Sequence, residues 1–62
     1  MYYLYEMEPV TCISQYMLTT SEKEGSLTAF DATNDEEAMD KASLYINNTL
    51  GKKSEFGISM SL

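Results

Sequence analysis

Cys12 is the sole cysteine of a chain that has no histidine, and this constrains what 62 residues can fold into more than any other feature. A domain this small buries only about 60% of the surface its unfolded chain exposes, so it leans on a disulfide, a structural metal or a second subunit. One cysteine cannot close an intramolecular disulfide. Nor can it build a structural zinc site, which typically takes four Cys or His ligands. The remaining support is self-association, so a homodimer is expected. The apolar content of 44% is that of a folding chain rather than a disordered one.

The alternation of SEFGISMSL, residues 54–62, is unbroken. Phe56, Ile58, Met60 and Leu62 face one way, while Glu55, Gly57, Ser59 and Ser61 face the other. That is a strand with one buried face. MYYLYEME, residues 1–8, also reads as a strand because it is rich in aromatics. Met1, Tyr3, Tyr5 and Met7 share one face, and Tyr2, Leu4, Glu6 and Glu8 share the other, so both faces are apolar near the start. Such a strand is either central and covered on both sides, or it sets one face against another subunit. Pro9 has no N–H to donate and marks a break or a short turn. TCISQYMLTT, residues 11–20, is a second strand with neither face cleanly polar. SEKEGS, residues 21–26, is polar, contains Gly25 and reads as a hairpin turn, and LTAFDA, residues 27–32, follows as a short third strand.

FDATNDEEAMDKA, residues 30–42, begins a helix. Thr33 with Glu36, or Asn34 with Glu37, has the spacing of a capping box, in which the acid reaches back to free backbone amides. Ala38, Met39, Ala42, Tyr45, Ile46, Thr49 and Leu50 then form one helical stripe, and Leu44 falls off it beside Glu37, Lys41 and Asn48. Gly51 takes the C′ position, with Lys52 and Lys53 where the helix dipole favours cations. About 17 residues make a rod of roughly 25 Å, enough to cover a small sheet. The expected fold is therefore α+β, one domain over residues 1–62 in the order β-β-β-α-β. A small three- to four-stranded sheet would carry one amphipathic helix packed on one face. A meander followed by a crossover helix would leave strand 4 parallel to strand 1 or to strand 3.

Ten Asp and Glu stand against four Lys, with no Arg, giving a net charge of −6. Nucleic-acid backbones and anionic membranes both demand clustered cations, so neither is expected as a direct partner. No apolar run reaches the roughly 20 residues of a membrane span. A basic region followed by a long apolar one is missing from the N-terminus, so a cytoplasmic setting with reduced Cys12 is expected. An acidic surface suits, and steers association with, a basic partner.

Chemistry has few footholds. Cys12 lacks the base that would activate it, and a buried, inert thiol is the expectation. No carboxylate pair is singled out by spacing. Counting an EF-hand loop from Asp31 puts Thr33 at the third position, Glu36 where glycine is required and Ala42 where a bidentate Glu is required, so the register fails. Gly25, Gly51 and Gly57 are too scattered for a phosphate loop. No enzyme activity, metal or cofactor is expected.

An interaction protein fits better. Glu36, Glu37 and Asp40 would form an exposed acidic strip, joined by Glu22 and Glu24 in the turn. The five tyrosines offer large contact area with few rotatable bonds. If Tyr2 and Leu4 point away from the helix, a second copy is their simplest cover. The alternative is a small-molecule binder, a sponge for a signalling nucleotide in an intersubunit pocket. It would use tyrosine stacking and the four cations Lys23, Lys41, Lys52 and Lys53.

The stretch FDATNDEEAMDKA, and more broadly Leu27 to about Leu50, resembles the strand–cap–helix entry of tiny β-β-α-β accessory proteins of phages and mobile elements, the DpnD/PcfM-like group. The resemblance brings no catalytic residue. It implies a short acidic protein of a kind that includes binders blocking a larger host or anti-phage defence protein. The target would offer a basic or nucleic-acid-binding surface, in the host cell cytoplasm.

Overall fold

A computed structural model describes residues 1–51 and 55–61. The elements are β1 (Tyr2–Val10), β2 (Ile13–Thr19), β3 (Thr28–Phe30), α1 (Asp35–Thr49) and β4 (Phe56–Ser61), an α+β fold in the order β-β-β-α-β. Lys52, Lys53 and Leu62, given roles at the helix end and in the last strand, lie outside the described residues.

The four strands form one mixed sheet in the order β3-β1-β2-β4. β1 is antiparallel to both of its neighbours, and β4 is parallel to β2. The expected meander is therefore incorrect. β3 does not return beside β2 but pairs on the far side of β1, with Tyr2 opposite Phe30 and Leu4 opposite Thr28. Strand 4 aligns with strand 2, not with strand 1, and strand 3 runs in that same direction. Residues 20–27 are thus a crossover and not a hairpin turn. Crossovers between strands of like direction usually need a dozen residues or more. Here eight suffice because β2 ends with Thr19 opposite Tyr3 while β3 starts with Thr28 opposite Leu4. The connection only has to step over one strand.

That step explains why β1 is apolar on both faces: it is central and covered on both sides. Register places Tyr2, Leu4, Tyr16, Leu18, Phe30, Phe56, Ile58 and Met60 on one face of the sheet. α1 lies on this face with Ala38, Ala42 and Ile46 inward, each fully buried together with Leu4 and Leu18. Small residues at the first two of those helix positions let the helix axis approach closely. Tyr16 and Phe56 meet edge-on at 6.2 Å between ring centroids, a favoured geometry for aromatic quadrupoles. On the opposite face the 20–27 crossover passes over β1. Tyr5 there donates its hydroxyl to Lys23 O at 2.9 Å and accepts the Lys23 amide, and Ser21 N donates to Thr19 Oγ1 at 3.1 Å.

The tight hairpin is β1–β2, through Thr11 and Cys12 with φ of 50° and 67°. Two successive positive φ values mark a type I′ turn, whose twist matches that of the strands it joins. β1 runs through Pro9 instead of breaking there. The pairing slips by one residue between Met7 and Val10, a bulge that spares Pro9 the ladder bond it cannot make. Cys12, expected to be buried, is exposed at the turn tip, because a two-residue loop has no interior to hide a side chain in.

Candidate functional site

The helix entry is built by Asn34 and Glu37. Asn34, with extended backbone, caps α1 by accepting the Glu37 amide on its side chain at 2.8 Å. Glu37 in turn accepts the Thr33 amide at 3.1 Å and the Thr33 hydroxyl at 3.2 Å. Of the two capping pairs compatible with the sequence, Asn34 with Glu37 is the one formed. Hydrogen bonds from the Thr33 backbone and side chain, with the Lys41 charge behind them, hold the Glu37 carboxyl below its ordinary range. Lys41 sits 3.6 Å from Glu37 and donates to Asp31 O. Asp35 accepts the Tyr2 hydroxyl at 2.8 Å, and this bond raises the Tyr2 pKa.

Three of the helix-start acids and their neighbours are therefore occupied within the chain. Glu37 is half-buried and serves the cap, Asp35 holds Tyr2, and Asp31 lies 3.8 Å from the N-terminal ammonium. Glu36 and Asp40 are exposed and have no ion-pair or hydrogen-bond partner among the described residues. They are one turn apart on the outer face, and one turn further stands Leu44, 59% exposed. Leu44 was visible in the sequence as the residue off the apolar stripe. Its meaning emerges only with the acids beside it: an apolar contact at the end of a negative row.

Glu22 and Glu24 are also exposed, but they belong to the crossover on the other face of the sheet from α1. The five acids expected to act together form two separate surfaces. Tyr2 and Leu4, expected to meet a second copy if they turned from the helix, turn toward it. Leu4 is fully buried, and Tyr2 packs on the core and stacks on Phe30 at 6.3 Å. Leu4 therefore offers no face for self-association, while Tyr2 stays half-buried beside Phe30. Three further rings are similarly committed: Tyr16 is 1% exposed, Tyr5 is 7%, and Tyr45 donates to Leu27 O at 3.3 Å. Most of the tyrosine content serves the core.

Among the described residues no three Asp, Glu or Cys side chains gather as metal ligands would, and no helix is long and apolar enough to cross a membrane. The fold and its surface define a small α+β protein with an acidic outer helix face. Comparison with protein-family models, with curated proteins and with solved structures returns no match.

Proposed function

We propose that the chain is a non-enzymatic interaction protein that docks the row Glu36–Asp40–Leu44 onto a basic surface of a larger protein. The observation that carries this reading is that these two carboxylates have no ion-pair or hydrogen-bond partner among the described residues and lead along the helix to an exposed leucine. A structural role would have paired or dispersed them. Exposed acids steer the encounter with a basic surface, while the leucine supplies contact area once water is displaced. The net charge of −6 favours the same class of partner. The resemblance of residues 30–42 to phage and mobile-element accessory proteins supports a host or anti-phage defence protein as the target, blocked at a basic or nucleic-acid-binding surface in the host cytoplasm. The nucleotide-sponge alternative draws less support, since Lys41 is engaged with Glu37 and Asp31, and four of the five rings have internal duties.

Affinity capture from a bacterial lysate, repeated with Glu36→Lys/Asp40→Lys, tests this. Glu37 is left intact to preserve the cap. A basic partner captured by the native chain, and lost on charge reversal or on raising salt, fits the reading. Equal capture of that partner by the reversed chain overturns it.

A further inference from the structure

We propose that the free edge of β4 is where a second copy of this chain adds, antiparallel and about a two-fold axis, to give one continuous eight-stranded sheet. Sheet edges invite pairing unless they are guarded. The edge of β1 beyond Leu4 is guarded three times, by Glu6 and Glu8, by Pro9 and by the bulge between Met7 and Val10. β3 is guarded by its length of three residues. β4 has six residues, FGISMS, with no charge and no proline, and among the described residues pairs only with β2. In a chain of net charge −6 it is the longer edge strand at which two copies can meet without opposing carboxylates.

The side chains agree with the backbone. Phe56, Ile58 and Met60 pack against the core but remain partly exposed at the sheet's margin. Antiparallel two-fold pairing centred on Ser59 sets Ile58 beside Met60 of the second copy on the helix side, and so extends the core across the junction. Gly57, Ser59 and Ser61 meet on the other side, where Gly57 lies under the Gln15 side chain of β2 and Ser59 and Ser61 are exposed. Glu55 falls beyond the paired segment. The two-fold axis stands perpendicular to the sheet, so both α1 helices lie on the same side and both acidic rows face the same partner. The inference rests on the edge and not on the proposed function, and a mass measurement tests it without any partner.

Light scattering on the full chain, in reducing buffer so that Cys12 cannot link copies, should show the mass doubling as concentration rises. Ser59→Glu and Ser59→Lys alter an exposed position and place like charges face to face. Each alone should stay at monomer mass with an unchanged far-UV circular dichroism spectrum, and an equimolar mixture should recover the doubled mass. Ser61→Glu, opposite Gly57 in the same register, is a second probe of the edge and should also halve the mass. A native chain that remains monomeric at every attainable concentration overturns the proposal. So does a dimer that survives all three substitutions, or a mixture that stays monomeric.

Discussion

Tyr5 and Lys23 are joined through both backbone groups of the lysine: the phenol donates to Lys23 O and accepts Lys23 N–H. One side chain thereby ties the crossover to the central strand, and it does so from the face the helix does not cover. Tyr5→Phe keeps the ring in its slot but strips two part-buried backbone groups of their partner. The expected loss is about 1–2 kcal/mol in denaturant unfolding. Hydrogen exchange at the Lys23 amide should quicken by more than at Leu18 or Ile46. Unchanged exchange at Lys23 would show that the crossover is held by other means.

Asn34→Ala removes the acceptor for the Glu37 amide and should cost about 1 kcal/mol. Glu37→Gln separates shape from charge at the same cap. The native Glu37 carboxyl titrates below its ordinary value of 4.5, chiefly through the Thr33 backbone bond. A depressed folded pKa contributes stability that is present above the unfolded value and lost as pH falls through the folded one. Protonation also relieves the repulsion of a strongly acidic chain, which acts in the opposite sense. The useful measurement is therefore the difference between native and Glu37→Gln unfolding midpoints. It should be largest at neutral pH and shrink as pH drops below 4.5.

The helix was legible because its entry is local. Asn34, Glu37, the Ala38–Ala42–Ile46 stripe and Gly51, which has φ of 71°, each follow from neighbours within a turn or two. The inward row of β4 was legible for the same reason. Sheet order was not, because it depends on where residues 20–27 go, and their composition is that of any polar turn. Gly25 pointed to a hairpin, whereas the tight turn is made by Thr11 and Cys12, residues that carry no turn signature. The acid set was half legible: charge could be counted, but which carboxylates are left over depends on Tyr2, Thr33 and the N-terminal ammonium reaching Asp35, Glu37 and Asp31.

Two leucines provide the sharpest contrast between fold and surface. Leu18 is fully buried between α1 and the sheet, while Leu44 is 59% exposed. Leu18→Ala should cost about 2–5 kcal/mol. A chain of this length has roughly 3–9 kcal/mol in all, so a substantial unfolded population is expected at 37 °C. Leu44→Ala should change stability by less than about 0.5 kcal/mol, yet weaken capture of the basic partner. If Leu44→Ala left capture untouched, the acids alone would carry the docking.

Thr11 is the most strained residue of the hairpin, since a β-branched side chain at a φ of 50° crowds its own backbone. Its hydroxyl donates to Val10 O at 2.7 Å, a local bond that offsets part of the strain. The type I′ geometry favours Asn followed by Gly at these two positions. Replacing Thr11-Cys12 by Asn-Gly should therefore raise stability by about 1 kcal/mol, visible as a higher thermal midpoint. Val10, 60% exposed, and Ile13, 44% exposed, flank the turn as a small apolar tip. If the strained turn exists to present that tip, the stabilised variant should lose a binding property while it gains in midpoint. If the turn is only a connection, the gain comes without loss, and the pair of measurements separates the two cases.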